Sequence, residues 1–403
     1  MRHKTKNGLS FSTYKSVSAV NSEHWNRIIP FGSEFLHLDY LRVLEKVPPQ
    51  NMRFYYSIVY DKFEPIAIAY FQVIDFSSES FGTFIEYDSD ELKCYLTNLI
   101  KKKVTNHLLR NVEKFNMRLL ICGNACISGE HGFAVIPNKY ETEIFDVLAD
   151  AISEISKAEK LRGKIAVILV KDFYENSIRY SKELEAHKFH DFLVEPNMIV
   201  NINWESFEEY LDAMSKKYRN RAKKIIGKGQ QIKRVHFTAE DIKLNNKTID
   251  NLYNNVQLKA NFRMASLSAE YFFEMKLSLK ENFRFVGYYL DDVLIGFRTS
   301  FSIKNNIDAH FIGIDYNLNK DLEIYQNILY DYVKDAIEKK SDQLYLGRTA
   351  SEIKSTVGAK AYELRCYVRH RNPLSNRIIK PFIDYLKPTE WIPRNPFKEQ
   401  ELE

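Results

Sequence analysis

The chain has 403 residues, a hydrophobic share of 45% and a formal net charge of +5. It is too long for one ordinary domain, so we expect two, and its composition is that of a soluble globular protein. No apolar run approaches the roughly 20 residues that span a bilayer, and the polar residues 1–6 lead into no signal-peptide core. We therefore predict a cytoplasmic protein. The cysteines lack the paired spacing of a structural zinc site, so no metal is expected.

The first half of the chain predicts strands that alternate with helices. Residues up to 21 are interpreted as a loose arm. The elements expected next are a helix over residues 35–47, a hairpin of strands 53–60 and 66–76, a helix that ends near 115, strands 118–122 and 133–136, a helix over 144–155 and a strand over 164–170. The segment between the two central strands, residues 123–132, is predicted to be a flexible loop.

A domain boundary is predicted near Pro196, because proline disfavours helix continuation and a new strand is expected over residues 198–202. One amphipathic helix is then predicted from Ser206 to about Gly227. Its first turns are acidic, but from residue 216 to 234 the charged residues are all basic. Such a block attracts phosphates, nucleic acid or acidic lipid headgroups, whereas the plain alternative is a solvated helix face. The binding candidates on this basic helix are Lys216, Arg219 and Lys223.

Residues 283–371 predict a hairpin, a strand, a helix, a strand, a short helix and a last strand. The hairpin turns at Asp291-Asp292, the third strand covers 307–315, the helix 321–339, the next strand 343–346 and the last strand 363–369. This order predicts an α/β fold with a mixed sheet. The first half repeats the order without a residue-level repeat. Residues 378–386 predict an amphipathic tail helix that packs on the body, with peripheral membrane contact as the weaker alternative.

This order resembles the core of GNAT acyltransferases. Together with the basic helix before it, it is similar to the second half of Fem-type transferases, which carry tandem GNAT-like domains and add amino acids to peptidoglycan precursors. The segment LGRTASEIK, residues 346–354, with Gly358-Ala359 resembles an LGRTAxEIKxxxGA-like motif of GNAT-type proteins. The resemblance covers roughly residues 203–372. It implies an acceptor-shaping GNAT-like domain over residues 1–195, a catalytic GNAT-like domain over 196–375 and a helical tail over 376–403.

One feature departs from the acetyl-CoA enzymes of this superfamily. Those enzymes have a glycine-rich loop before the central helix, whose backbone N–H groups hold a pyrophosphate. Here residues 315–321 read DYNLNKD, with no glycine and with carboxylates at both ends. The resemblance therefore leaves acyl-CoA and aminoacyl-tRNA both open as the donor, and ordinary acetyl-CoA is disfavoured.

In a GNAT-like core the site lies where the central strands separate, here at the ends of strands 307–315 and 343–346. Backbone N–H groups would stabilise the oxyanion. Asp315 would accept a proton, with a helix cap as the equal alternative, and His310 is titratable but is more simply a core histidine. The anion-binding candidates, with structural ion pairs as the alternative, are Arg348, Lys354, Thr349 and, as a secondary candidate, Arg298.

These features predict an N-acyltransferase that moves an acyl or aminoacyl group from an activated donor to an amine. The resemblance implies a small-molecule or phosphorylated acceptor from the cell envelope, with tRNA as a further candidate partner. The competing hypothesis is a degenerate, non-catalytic GNAT-fold protein that binds RNA or a phosphorylated lipid through its basic helix. A third reading is an amine N-acetyltransferase that uses CoA despite the altered loop.

Overall fold

Strands from both halves of the chain pair with one another in a single sheet. The computed structural model describes residues 3–5, 8–49, 52–77, 116–137, 140–259, 266–385, 388 and 390–398. The helix predicted to end near residue 115 lies outside these ranges. Within them, fourteen strands form the sheet: strands of the first half lie at one end, strands of the second half at the other, and the last strand of the chain lies between them. The predicted mixed α/β architecture is confirmed.

The first half contains the following elements: β1 His3–Lys4, β2 Ser10–Tyr14, α1 Ser22–Asn26, α2 Leu38–Lys46, β3 Met52–Asp61, β4 Glu64–Ser77, β5 Asn116–Cys122, β6 Phe133–Val135, α3 Glu143–Ala158, β7 Ile165–Phe173, α4 Glu175–Ser181, α5 Glu183–Ala186 and β8 His190–Asn201. The predicted hairpin is present as β3 and β4. The crossover through α3 brings β5 and β7 together in parallel, as a βαβ unit requires.

The second half contains the following elements: α6 Phe207–Ala213, α7 Lys216–Lys228, β9 Lys233–His236, α8 Ala239–Leu244, α9 Asn246–Leu258, α10 Ala269–Leu279, β10 Phe283–Leu290, β11 Val293–Ile303, β12 Asn306–Ile314, α11 Tyr316–Leu322, α12 Ile324–Glu338, β13 Gln343–Tyr345, α13 Ser351–Ser355, β14 Lys360–His370 and α14 Pro373–Tyr385. Here the crossover through α11 and α12 makes β12 and β13 parallel. The last strand, β14, lies between β7 and β8 and so joins the halves.

Apolar side chains cover both faces of this sheet. One cluster packs α3 on the strands of the first half, and a second packs α6, α7 and α12 on those of the second half. A third cluster is shared, because it joins Trp25, Phe35 and Tyr40 from the first half to Tyr271 and Phe301 from the second. The helices α2 and α10 therefore lie in the seam between the halves.

Three local predictions were wrong. The loose arm includes β2, which pairs with β3, and Phe11 is only 2% exposed. The strand expected over 198–202 begins at His190, and Pro196 is tolerated inside it because the register with β14 shifts between Tyr362 and Leu364. The helix expected from Ser206 is divided between α6 and α7.

The helix from Ser206 is interrupted by contacts that the local pattern does not contain. Between α6 and α7, Met214 has an extended backbone and bridges to Phe397, and the Ser215 amide donates to the carbonyl of Pro396. The predicted helix over 321–339 is present as α12, which begins at Ile324 because the left-handed Glu323 separates it from the short helix α11. The domain boundaries themselves stay a prediction.

Candidate functional site

The parallel strands β12 and β13 separate soon after they meet. Within the described chain they pair only over Asn306–Asp308 and Gln343–Tyr345. Beyond that point β12 continues to Ile314 without pairing to β13. The chain after β13 instead follows β8, because the Leu346 amide donates to Met198 O at 2.8 Å. The sheet therefore opens at the pair Asp308 and Tyr345. We call this place the β12–β13 opening.

Asp308 lies at this opening with an unusual carboxyl group. Its side chain keeps some contact with solvent, yet the surrounding protein removes most of its hydration, and this burial raises its pKa to about 8. Among the described residues, no hydrogen bond or ion pair satisfies the carboxyl group. A carboxyl group with such a pKa can accept or release a proton near neutral pH.

Tyrosines from both halves lie within electrostatic range of Asp308. Burial raises the pKa values of Tyr40, Tyr174 and Tyr345, and the Asp308 carboxyl raises them further. The Tyr174 hydroxyl accepts a hydrogen bond from Asn197 Nδ2 at 2.8 Å. Asn197 is 1% exposed, and its Oδ1 has no partner in the described part of the chain. The Asp308 carboxyl and the Asn197 carbonyl oxygen are therefore two polar groups without a partner among the described residues.

The opening faces the seam between the halves. Asp308 pairs with Phe301 across β11 and β12, and Phe301 belongs to the apolar cluster that both halves share. The preceding residue, Ile307, belongs instead to the cluster under α7 and α12. Since successive side chains of a strand point to opposite faces, Asp308 and the basic helix α7 lie on opposite faces of the sheet.

Arg348 contacts the first half rather than an open cavity. Its guanidinium forms an ion pair with Asp172, a fully buried residue of β7 that has a left-handed backbone. Asp172 also accepts hydrogen bonds from Lys171 Nζ and the Gly129 amide, both at 3.0 Å. Burial alone would raise the pKa of Asp172, but Arg348 and Lys171 hold it well below its usual range. The structural alternative, an ion pair, is therefore present for Arg348, with Asp172 as its partner.

Lys354 is buried under the loop that carries Arg348. Its Nζ donates to the carbonyl oxygens of Arg348 and Gly347, and burial lowers its pKa to about 7. Gly347, Thr349 and Ala350 all have positive φ, a conformation that costs non-glycine residues on the order of 1 kcal/mol each. Lys354 thus stabilises a strained turn. Thr349 is exposed, and the position before α13 is Ala350, which forms no side-chain cap.

The remaining sequence candidates have local partners. Asp315 caps α11, accepting from the Asn317 amide at 2.9 Å. His310 lies two residues beyond Asp308, with Nε2 2.9 Å from the Tyr271 hydroxyl, and burial lowers its pKa to about 3, so the ring is neutral. Arg298 pairs with Asp335 of α12 at 2.8 Å and is 3% exposed. These three residues are not brought together with Arg348.

The basic helix α7 presents its charges to solvent. It packs through Ala222 and Ile225, while Lys216 and Lys223 are exposed and form no ion pair with a described residue. Arg219 is paired with Asp212 at 3.2 Å. Helix α7 also contacts α11, at the junction where β12 ends. The donor-binding candidates therefore lie beside that junction.

Sequence reasoning missed Asp308, although one signal was available. An acidic residue inside a short apolar strand is costly unless it is paired or used. Nothing in the sequence indicated Tyr174 or Asn197, which reach the opening only through tertiary contacts. In the described ranges, no cluster of three or more His, Cys, Asp or Glu could hold a metal ion, and no helix has the length and apolar character of a membrane span.

Comparison with solved structures identifies the fold. FemX superposes with a TM-score of 0.54 and 12% sequence identity over 92% of this chain and 100% of that one. A tandem GNAT protein from the clavulanic acid biosynthesis pathway, solved without AcCoA, gives a TM-score of 0.52 and 8% identity over 91% of this chain and 99% of that one. No family model and no curated protein sequence matches the chain. At these identities the likeness shows the fold alone.

Proposed function

We propose that this chain, which has the Fem-like tandem GNAT fold, is an N-acyltransferase. It would move an acyl or aminoacyl group from an activated donor to the amine of an acceptor. The observation that carries the proposal is the unpaired Asp308 carboxyl at the β12–β13 opening, with its pKa raised to about 8 by burial. The fold is also used by proteins of different function, so the chemistry is argued from this residue.

In the proposed reaction Asp308 takes a proton from the acceptor ammonium group. The free amine then attacks the acyl carbonyl. The tetrahedral intermediate collapses to the amide as its bond to the CoA sulfur or the tRNA ribose oxygen breaks, and the leaving group takes the proton that the amine nitrogen loses. Beyond Asp308 the edge of β12 is no longer paired with β13 within the described chain, so its backbone N–H groups are candidates to stabilise the oxyanion. Tyr174 and Tyr345 would orient the acceptor, because their hydroxyl groups lie near the same carboxyl.

The donor would approach from the other face of the sheet, beside α7 and α11. We propose acyl-CoA or aminoacyl-tRNA, and the exposed Lys216 and Lys223 support a donor that carries phosphates. The short helix α11 in place of a glycine-rich loop disfavours ordinary acetyl-CoA. The acceptor, from the Fem-type resemblance, would be an amine on a cell-envelope precursor. The protein would work in the cytoplasm.

A panel of donors and amines tests the proposal. The protein is incubated with acetyl-CoA, longer acyl-CoA thioesters or charged tRNA, each with lysine-containing peptides, and mass spectrometry detects the amide product. We expect transfer from at least one donor at pH 8–9. The absence of product from every pair would contradict an enzymatic role, provided that a melting curve shows the protein to be folded under the assay conditions.

A polyanion-binding protein is the second candidate, favoured by the exposed charges of α7. The two functions differ in a melting experiment, because a ligand stabilises the state that binds it. A thioester or charged tRNA raises the melting temperature of the enzyme. A binder instead retains uncharged RNA in a strongly salt-dependent manner, and reversing the charge of Lys216 and Lys223 abolishes retention.

A further inference from the structure

A cavity lies between elements of the first half and the C-terminal elements β14 and α14, away from the β12–β13 opening. Its volume is about 730 Å³, and it is enclosed by the end of α3, the connection from α5 into β8, and the junction of β14 with α14. The two ends of β14 lie at the two places. Lys360 pairs with Ile199, which in turn pairs with Tyr345 at the opening. Arg369 pairs with Ile168 at the cavity. At about 3.3 Å per residue, roughly 30 Å of strand separates the two places.

Basic side chains dominate the walls of this cavity. They are Lys157, Lys188, Arg369, Arg371 and Arg377. None of them forms an ion pair with another described residue. Asp191 also lines the cavity, but it is already paired with Arg365, and the only other acidic residue of the lining is the exposed Glu185. The cavity therefore has a surplus of positive charge.

Arg369 is held in place by groups that carry no charge. Its Nη1 donates to the His187 carbonyl at 3.0 Å, and its guanidinium lies 4.6 Å from the centre of the buried Phe189 ring. Burial lowers the pKa of Arg369, and no described carboxylate offsets this cost. Nearby, His190 Nε2 is buried without a partner among the described residues. A bound anion would satisfy both groups.

The chemistry of the walls favours a phosphoryl group. Arginine presents several N–H donors in a rigid fork that matches phosphate oxygens, and surrounding lysines add charge without demanding one geometry. The volume falls in the range of roughly 300–1,000 Å³ that is typical of small-molecule sites. We propose that this cavity binds a small soluble phosphorylated molecule, at a site separate from the one used for acyl transfer.

Isothermal titration with inorganic pyrophosphate and with ADP tests the site in the full-length protein. We expect saturable binding of at least one of them at 150 mM NaCl. The double variant Lys157→Glu, Arg377→Glu should weaken it by about tenfold or more, because it replaces two attractive charges at the cavity wall with two repulsive ones. Both residues are exposed, so the variant should keep the melting temperature of the wild type.

A control double variant, Lys160→Glu with Lys247→Glu, carries the same change of charge. It alters two exposed lysines that do not line the cavity, one three positions beyond Lys157 and one in α9. The control should bind as the wild type does. The proposal is overturned by no saturable binding, by undiminished binding in the cavity double variant, by equal loss in the control, or by binding only to vesicles that contain phosphatidic acid. Arg369→Met, checked for folding by its melting curve, should weaken binding at least as strongly as the cavity double variant does.

Discussion

Each half of the molecule has a parallel strand pair that opens at one end, and the two openings differ in how their charges are used. At the end of β5 and β7, Asp172 is fully buried and paired with Lys171 and Arg348. At the end of β12 and β13, Asp308 has no partner among the described residues. The pKa of Asp172 is held well below its usual range, whereas burial raises that of Asp308 to about 8.

Asp172 is therefore a structural carboxylate, whereas we propose that Asp308 is a reactive one. The loop after β5 closes the first opening, because Lys171 Nζ donates to the carbonyls of Asn124 and Ile127 at 2.7 and 3.1 Å. No equivalent loop follows β12, where α11 begins directly after its cap at Asp315. A parallel strand pair therefore holds the two halves together at the end of β5 and β7, whereas the corresponding pair β12 and β13 leaves a titratable carboxyl group without a partner among the described residues.

Replacing the unpaired carboxyl should have the largest effect. We expect Asp308→Asn to lower the rate of transfer by about 10²–10⁴-fold, because the amide cannot accept the proton. The matched control is Asp315→Asn, seven residues along the same segment, which should keep most activity because Asp315 caps α11. Initial rates at pH 8.5 measure both. Loss in the control alone would transfer the role to Asp315.

The melting temperature of Asp308→Asn tests whether this variant remains folded. A raised carboxyl pKa means that the folded state binds the proton more tightly, so its contribution to stability is lost as pH rises from about 4 to about 8. Asp308→Asn removes this loss, and the variant should melt at a higher temperature than the wild type at pH 9. A lower melting temperature at pH 9 would show that Asp308 has a structural partner.

Breaking the paired carboxylate should affect stability rather than chemistry. Asp172→Asn leaves Lys171 and Arg348 buried without a counter-charge, and we expect a loss of about 3–5 kcal/mol in the free energy of unfolding. Urea denaturation followed by circular dichroism measures it. In the double variant Asp172→Asn, Arg348→Met the penalty should be smaller than the sum of the single changes. Additive losses would mean that the two residues do not interact.

The pH dependence of the transfer rate should follow the ionisation of Asp308 at the β12–β13 opening. With a pKa of about 8, the ionised fraction of Asp308 and hence the rate should rise about tenfold between pH 7 and pH 9. Rates are measured at saturating acceptor. The residual rate of Asp308→Asn should lack this step. A flat wild-type profile over the same range would remove Asp308 from the proton transfer.

The smallest effect is expected from the exposed lysines of α7, on the proposed donor side of the β12–β13 opening. Lys216→Gln with Lys223→Gln should weaken charged-tRNA binding several-fold and make it less dependent on salt, because fewer counter-ions are released. The control Lys4→Gln with Lys15→Gln removes the same charge from the first half. Filter binding between 50 and 200 mM NaCl measures both. Equal weakening in the control would indicate a general charge effect.

Much of the fold was predictable from local patterns. The alternation in β10 and β11, the strand β12, and the resemblance carried by residues 346–354 led to a tandem GNAT architecture, which the structure and its relatives confirm. Such patterns are readable because periods of 2 and 3.6 residues depend on neighbours in the chain. The same patterns failed at residues 214–215, where contacts with the distant residues Pro396 and Phe397 interrupt a predicted helix.

The sequence by itself indicated most strands and helices of the two halves and the basic segment, and it placed the opening at the end of β13 but about seven residues too far along β12. Only the tertiary structure decided which charges are paired. Arg348 meets Asp172 across 176 positions, and Asp308 receives its surroundings from Tyr40 and Tyr174 of the other half. Burial and counter-charge set the reactivity of a side chain, and both are supplied by residues remote in the chain, which no local pattern records.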